Sequence, residues 1–247
     1  MQILGCRLDP IDAEVAASRI TAFAREGAGA QVVTLGTEMV VYAQRDAGFR
    51  EIVNSCALSL CDTIGLFAVA RLRGANLNRR VTGVELIEDL CGAAVCAGIG
   101  IYLVGGAPGI AERAAQQLRA RYPGLNICGV RDGFFADQES PAVADAIRAT
   151  GAQLLLVGLG SPRQEFWLAT HLARTGCGSG IGVGGSFDVI SGNVARAPQV
   201  WRRFGLEWLY RLVREPHRWR RQLALPYFVW LVLLDSLRTA KRAAAKE

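Results

Sequence analysis

A carboxylate, a series of glycine-rich turns and a group of arginines are the parts of this 247-residue chain that could do chemistry. Asp62 follows a short apolar run, and its carboxylate could take a proton from an attacking hydroxyl group. An aspartate here could instead cap a helix starting at Ile64, and spacing alone leaves both roles open. The sequence Arg79-Arg80-Val-Thr-Gly83 could place a cation against a diphosphate, or could be an ordinary loop.

Arginines and aromatic residues alternate between Gly205 and Arg221, and an apolar run follows them. Arginine binds phosphate oxygens through paired hydrogen bonds, and tryptophan and tyrosine suit the boundary between water and lipid. One unbroken helix would place four arginines on a single face, although Pro216 is expected to break it: Arg211, Arg214, Arg218 and Arg221. The segment therefore predicts a partner that carries both a phosphate and an apolar part.

The charge of the chain is concentrated in the same region. The chain has 28 Lys+Arg and 22 Asp+Glu, a net charge of +6. Residues 196–247 contain 12 basic and 4 acidic residues, or +8, which leaves 16 basic and 18 acidic residues, or −2, for residues 1–195. This asymmetry indicates a polyanionic partner or an anionic membrane surface. The run Leu223–Leu234 is shorter than a spanning helix, so it could lie in a membrane interface or pack on the body.

The composition argues against several kinds of active site. Two histidines do not favour a histidine-rich metal site. The first lysine is Lys241, so the chain has no phosphate loop of the G-x-x-x-x-G-K-[ST] type. The dinucleotide pattern is incomplete, because Gly158-Leu-Gly160 continues as Ser-Pro-Arg, and no Asp-x-Asp offers a manganese clamp. We therefore predict no metal and no cofactor, with arginine handling the diphosphate charge.

Short apolar runs alternate with helical patterns along the body. The predicted strands are Gln31–Thr34, Leu58–Leu60, Ile101–Val104, Ile127–Val130, Leu154–Val157 and Ile181–Val183. The predicted helices are Glu38–Asn54, Gly65–Arg73, Val84–Ala97, Gly109–Arg121, Pro141–Ala149 and Gln164–Arg174. This order predicts an α/β fold with a doubly wound, mostly parallel, Rossmann-like sheet. Composition changes near Arg196, which predicts a catalytic domain at 1–195 and a basic helical appendage at 196–247.

Nearly every predicted strand ends in glycine or in a small polar or acidic residue. Ligands of open parallel sheets lie beyond the carboxyl ends of the strands. Glycine allows close approach of the backbone, and a helix starting there directs N–H groups at an anion. These loops predict a nucleotide site whose donor-binding residues are Gly105, Gly106, Gly133, Gly158, Gly160, Glu165, Gly184, Gly185, Ser186, Phe187 and Asp188.

Taken together, these motifs resemble the WecG/TagA/CpsF glycosyltransferases between Thr34 and Arg221. The resemblance rests on Arg79-Arg80-Val-Thr-Gly83, Val104-Gly-Gly-Ala-Pro-Gly109, Tyr122-Pro-Gly124, Gly158-Leu-Gly-Ser-Pro-Arg-Gln-Glu165, Gly182-Val-Gly-Gly-Ser-Phe-Asp188, Arg196-Ala-Pro198 and Gly205-Leu-Glu-Trp-Leu-Tyr-Arg-Leu212. Two places differ from the family. Many members have Thr-x-Asn where this chain has Thr34-Leu-Gly36, and Asp62 is usually followed by glycine rather than Thr63. Both differences flank the expected catalytic pocket.

The resemblance implies an inverting, metal-independent enzyme of cell-surface polysaccharide synthesis. It would move N-acetylmannosamine or its uronic acid from a UDP-sugar donor to a polyprenol-diphosphate-linked sugar. It would be cytoplasmic, peripherally bound to the inner face of the cell membrane and able to self-associate, and it would not bind nucleic acid. By motif, the general base would be Asp62, with Thr34, Arg80 and Gln164 near the donor and acceptor. Tail arginines, among them Arg211, Arg218 and Arg221, would complete the site.

Three alternatives stay open at this point. A member of the same family could transfer glucose or glucuronate from UDP in exopolysaccharide assembly. A dinucleotide-dependent oxidoreductase could use Gly158-Leu-Gly160. A nucleic-acid-binding module could use the basic tail, with an affinity that falls steeply with salt.

Overall fold

The computed structural model describes residues 1–198, 201, 207–214 and 223–244. Its main sheet is parallel throughout and is formed by β3 (Ala30–Leu35), β4 (Leu58–Cys61), β5 (Ile101–Gly105), β6 (Ile127–Arg131), β7 (Leu154–Gly158) and β8 (Ser179–Gly182). The strand order across this sheet is β4-β3-β8-β7-β5-β6. A small antiparallel hairpin, β1 (Gln2–Ile3) and β2 (Cys6–Arg7), precedes them. The predicted α/β fold with a parallel sheet is therefore confirmed.

Helices cover both faces of the sheet, so side chains on both sides of each strand are buried. This burial explains why the strand sequences are largely continuous apolar runs. The helices of the body are α1 (Ala13–Glu26), α2 (Thr37–Ala43), α3 (Ala47–Ser55), α4 (Ile64–Leu72), α5 (Gly83–Ala97), α6 (Ile110–Arg121), α7 (Ser140–Ala149), α8 (Arg163–Thr175) and α9 (Ser186–Ile190). On one face, α1, α5, α6 and α9 form a single buried cluster with the strands. On the other face, α2, α3 and α4 form a second cluster, and α7 and α8 form a third.

Two sequence-based assignments differ from the structure by more than one residue at an end. The single helix predicted at Glu38–Asn54 is wrong, because the segment forms α2 and α3 with a break between them. Asp46 causes the break by accepting a hydrogen bond from the backbone N–H of Phe49 at 2.9 Å, which caps α3. The last strand begins at Ser179 rather than Ile181, because strand pairing with β7 continues through Ser179 and Gly180.

The described part of the C-terminal segment contains α10 (Glu207–Arg214) and α11 (Ala224–Ala244). Phe228 of α11 is fully buried in the cluster of α2 and α4. The guanidinium of Arg45 lies 5.4 Å from the ring centroid of Tyr227, and Arg73 pairs with Asp235 at 2.8 Å. The apolar run therefore packs on the body along one side, while Val229, Trp230, Leu233 and Leu237 face outward.

The predicted helix break at Pro216 and the predicted phosphate-binding arginines Arg218 and Arg221 lie outside the described residues. The backbone of Arg211 and Arg214 belongs to α10. Within the described residues, we find no helix with the length and apolar character required to cross a bilayer.

Candidate active site

Two adjoining cavities lie at the carboxyl ends of the parallel strands. The first cavity, of about 240 Å³, lies near the ends of β3, β4 and β8. All four residues predicted to be catalytic line it: Thr34, Asp62, Arg80 and Gln164. The second cavity, of about 700 Å³, lies beyond β5, β6 and β7. Gly160, Gly184 and Gly185 line both cavities, so the two spaces adjoin.

Backbone hydrogen bonds hold the polar residues of the first cavity in place. Asp62 directly follows β4, and its N–H donates to the carbonyl of Leu35 at 3.1 Å. Arg80 precedes Val81, whose N–H donates to the carbonyl of Cys61 at 2.7 Å. The loop that carries Arg80 is thereby attached to the same strand end as Asp62. Burial raises the pKa of the neighbouring Cys61 thiol to about 12, so this thiol stays neutral beside the carboxylate.

Asp62 does not occupy the N-cap position of α4. The N-cap residue of α4 is Thr63, and Asp62 lines the first cavity instead. The Thr63 hydroxyl accepts a hydrogen bond from the N–H of Thr37 at 3.1 Å, which caps α2. Gly36, the N-cap residue of α2, has no side chain for this task. A Cβ atom at Gly36 would lie 3.2 Å from the Thr63 methyl carbon. The two positions at which the chain differs from the family pattern, Gly36 and Thr63, are therefore direct neighbours in space.

Several lining residues of the first cavity were not predicted from sequence: Glu38, Ser161, Arg196, Trp208 and Leu225. The Arg196 guanidinium lies 3.2 Å from Glu85 and 3.7 Å from Glu88, which hold it at the cavity wall. Its position in the Arg196-Ala-Pro198 motif was the available signal. Trp208 of α10 and Leu225 of α11 show that the C-terminal segment forms part of the wall.

The second cavity is lined largely by glycines and by the loop after β6. Arg163 donates to the carbonyls of Gly133 at 3.0 Å and Phe135 at 2.7 Å, which fixes this loop. Phe134, at the rim of the cavity, is 75% exposed. Ser186 lines the first cavity. Seven of the predicted donor residues line the second cavity: Gly106, Gly133, Gly158, Gly160, Gly184, Gly185 and Asp188.

Three predicted donor residues line neither cavity: Gly105, Glu165 and Phe187. Phe187 is fully buried in the core, and Glu165 is 1% exposed. A Cβ atom at Gly105 would clash with the backbone of Gly158, so packing of two neighbouring strands requires this glycine. We therefore assign these three residues no direct contact with a donor.

The glycine N–H groups are less available to an anion than the sequence suggests. The N–H of Gly106 donates to Gly158 at 3.0 Å, and that of Gly133 donates to Gly106 at 2.9 Å. The N–H of Gly184 donates to the Gln164 side-chain oxygen at 3.0 Å. These glycines permit close approach of a ligand, but the three N–H groups are already used by hydrogen bonds within the protein.

Comparison with known proteins identifies the family. The family profile described as "Glycosyl transferase WecG/TagA/CpsF family" matches residues 1–242. The chain belongs to this family. It is therefore a glycosyltransferase, as the motifs predicted, and the oxidoreductase and nucleic-acid-binding alternatives are set aside. Among its WecG/TagA/CpsF relatives is the N-acetylglucosaminyldiphosphoundecaprenol N-acetyl-beta-D-mannosaminyltransferase of Bacillus spizizenii. That protein is 34% identical over 238 residues, covering 95% of this chain and 92% of its own length.

Proposed function

We propose that this glycosyltransferase moves N-acetylmannosamine from a UDP donor to a sugar on polyprenol diphosphate, with inversion and without a metal. One observation carries the proposal: Asp62 shares a cavity with Thr34, Arg80 and Gln164, next to a glycine-lined cavity of nucleotide size. The name of the Bacillus spizizenii relative gives the same transferred sugar and the same kind of acceptor. At 34% identity, this supports the choice of sugar for the present chain.

The donor would lie across both cavities. Its nucleotide would occupy the second cavity, with the uracil ring near the exposed Phe134, because aromatic rings stack on bases. Its sugar would pass the shared glycines into the first cavity, where bulky side chains are absent at Gly160, Gly184 and Gly185. The diphosphate would then lie within reach of Arg80.

The acceptor would enter the first cavity from the side of the C-terminal segment. Trp208 and Leu225 give that side an apolar wall, which suits a lipid-linked substrate. Arg211, Arg214, Arg218 and Arg221 would bind a diphosphate, either of the lipid acceptor or of departing UDP. Residues 196–247 would thus contribute both to the active site and to contact with an anionic membrane.

The reaction would proceed in one displacement. Asp62 would take the proton of the acceptor hydroxyl, whose oxygen forms a bond to the anomeric carbon from the face opposite UDP. The bond between the anomeric carbon and the diphosphate oxygen breaks, and UDP leaves with that electron pair. Arg80 would stabilise the negative charge that develops on the leaving diphosphate.

The role of Asp62 can be tested with Asp62→Asn. We expect transfer to a short-chain polyprenol-diphospho-GlcNAc analogue to fall by about 100-fold or more, because the amide accepts no proton from the nucleophile. UDP affinity, measured by calorimetry, should stay unchanged. Asp145→Asn is the matched control, because Asp145 pairs with Arg174 at an exposed site away from both cavities. Wild-type turnover in Asp62→Asn would rule out Asp62 as the base.

The donor and the metal requirement can be tested in one assay of the wild-type enzyme. We expect UDP-N-acetylmannosamine to give product, and a chelator to leave the rate unchanged. Preference for UDP-N-acetylmannosaminuronate, UDP-glucose or UDP-glucuronate would replace the proposed sugar with that one. A rate that the chelator abolishes and added Mg²⁺ or Mn²⁺ restores would contradict metal independence.

A further inference from the structure

Glu165 is a buried carboxyl group, and contact with a substrate does not explain why an acidic residue stands at this position. It lies in the first turn of α8, is 1% exposed and lines neither cavity. Its Oε2 atom has no hydrogen-bond partner among the described residues. An acidic residue in the first turn of a helix is favourable at the surface. Burial removes most of that benefit, because a desolvated carboxylate is costly unless it is fully hydrogen-bonded.

The Glu165 carboxylate has one well-defined task, which is to hold the side chain of Gln164. Nε2 of Gln164 donates to Oε1 of Glu165 at 2.7 Å, and Oε1 of Gln164 accepts from the N–H of Gly184 at 3.0 Å. A backbone N–H can only donate and a carboxylate can only accept. The Gln164 carboxamide therefore has a single orientation, with its nitrogen toward Glu165.

The surrounding backbone leaves room for this pair and for little else. A Cβ atom at Gly182 would lie 2.6 Å from Gln164 Nε2 and 3.0 Å from Glu165 Oε1. The carbonyl of the same Gly182 accepts a hydrogen bond from the Thr34 hydroxyl at 3.0 Å. Gln164, Glu165 and Thr34 thus meet around one strand end beneath the first cavity.

We propose that Glu165 is a positioning residue, which orients Gln164 so that the second Nε2 hydrogen is offered to a substrate oxygen in the first cavity. The proposal rests on the glycosyltransfer function given above. Gln164 lines the cavity, and one of its two Nε2 hydrogens is already used by Glu165. The remaining hydrogen suits an oxygen of the diphosphate or of a sugar hydroxyl. Without Glu165, the carboxamide loses the partner that holds its nitrogen in place.

A swapped pair, Gln164→Glu with Glu165→Gln, separates this role from simple packing. The carboxylate introduced at position 164 could accept from the N–H of Gly184 and from the carboxamide introduced at position 165. The internal hydrogen bonds would then be kept, while the N–H toward the cavity disappears. We expect the swapped protein to fold and to bind UDP, but to transfer sugar about 100-fold more slowly, the usual effect of removing one positioned donor. A swapped protein with wild-type turnover would overturn the proposal.

Single variants supply the complementary test. Glu165→Gln retains an acceptor oxygen and should keep turnover within about threefold, whereas Glu165→Met lacks the acceptor and should lose as much as Gln164→Met. The double variant Gln164→Met/Glu165→Met should be no slower than Gln164→Met alone, because both changes remove the same contact. Additive losses, or full turnover in Glu165→Met, would contradict positioning.

A measurement without substrate keeps this inference separate from the proposed function. The Gln164 side-chain amide can be assigned by NMR through its disappearance in Gln164→Met. We expect the Nε2 hydrogen bonded to Glu165 to exchange slowly with solvent in the wild type and in Glu165→Gln, and rapidly in Glu165→Met, while the hydrogen that faces the cavity is open to solvent. Fast exchange of the bonded hydrogen in the folded wild type would overturn the proposal. If the wild type transfers no sugar but its amide is protected, the assigned reaction fails and the orientation of Gln164 stands.

Discussion

At the scale of the residue, the burial of Glu165 links the stability of the fold to pH. Burial raises the pKa of this carboxyl above its usual value, although the hydrogen bond from the Gln164 side chain lowers it in part. The folded protein therefore keeps a proton on Glu165 at pH values where the unfolded chain has already released it. Stability from this group is present below the unfolded pKa of about 4.5 and declines as pH rises through the folded pKa.

Glu165→Gln tests this linkage because glutamine does not titrate. We expect the free energy of unfolding of the variant, relative to the wild type, to increase as pH rises above about 4.5. Urea unfolding at a series of pH values measures the difference. Asp145→Asn is a useful comparison, because its pairing with Arg174 lowers the pKa of Asp145 and gives the opposite pH trend. A difference that does not change with pH would show that Glu165 has the same pKa in both states.

The residues of the site differ in how far the sequence predicts them. Asp62 and Gln164 follow the ends of strands, and the rule that ligands bind at that edge places them near one another without further information. Arg196 and Trp208 lie far along the chain, in segments without a strand pattern. Their contribution depends on long-range packing, which residue spacing does not encode. The burial of Glu165 likewise depends on the absence of a side chain at Gly182.

At the scale of the element, strands were predicted better than helix boundaries. A strand covered on both faces leaves a continuous apolar run, as in Leu154–Gly158, and such runs are easily recognised. The predicted helix at Glu38–Asn54 failed because its apolar periodicity continues across a capped break, which only the Asp46 side chain reveals. The strand Ser179–Gly182 began earlier than predicted because serine and glycine carry little strand signal.

Helix α11 combines a packed side with an exposed side, and the two can be distinguished by substitution. Phe228→Ala should lower the free energy of unfolding by about 3–5 kcal/mol, because it empties a fully buried ring position. Trp230 is 51% exposed, so Trp230→Ala should change stability by only about 0.5 kcal/mol. Denaturant unfolding of both variants measures this contrast. Equal, small effects would mean that α11 does not contribute to the cooperative core.

At the scale of the whole molecule, the basic C-terminal segment and the nearly neutral body both line the first cavity. Residues 196–247 carry +8 and residues 1–195 carry −2, yet Trp208 and Leu225 line the same cavity as Asp62. Much of the positive charge available for a diphosphate therefore lies on the segment with the outward-facing apolar side chains. This arrangement suits a reaction between a nucleotide donor and a lipid-linked acceptor, because the two substrates would meet where that segment joins the body.

Membrane contact should then depend on two separate properties of this segment, its charge and the outward face of α11. Removal of the whole segment would be ambiguous, because it would also remove Phe228 from the core and Trp208 from the cavity. Trp230→Ala/Leu233→Ala changes only exposed side chains and should weaken binding to phosphatidylglycerol-containing vesicles by about tenfold or more through lost apolar burial. Vesicle flotation at several salt concentrations measures both properties.

Added salt should weaken vesicle binding of the wild type and of this double variant with a similar slope, because the basic charge is unchanged. Val15→Ala is the matched control, since Val15 is an exposed valine of α1, on the opposite face of the sheet. It should bind vesicles like the wild type.

Unchanged binding of Trp230→Ala/Leu233→Ala would mean that α11 does not enter the lipid. Equal binding of the wild type to neutral phosphatidylcholine vesicles would exclude charge as the source of attraction. If Trp230→Ala/Leu233→Ala lost both its affinity for vesicles and the salt dependence of binding, α11 and the basic residues would bind the membrane as one unit.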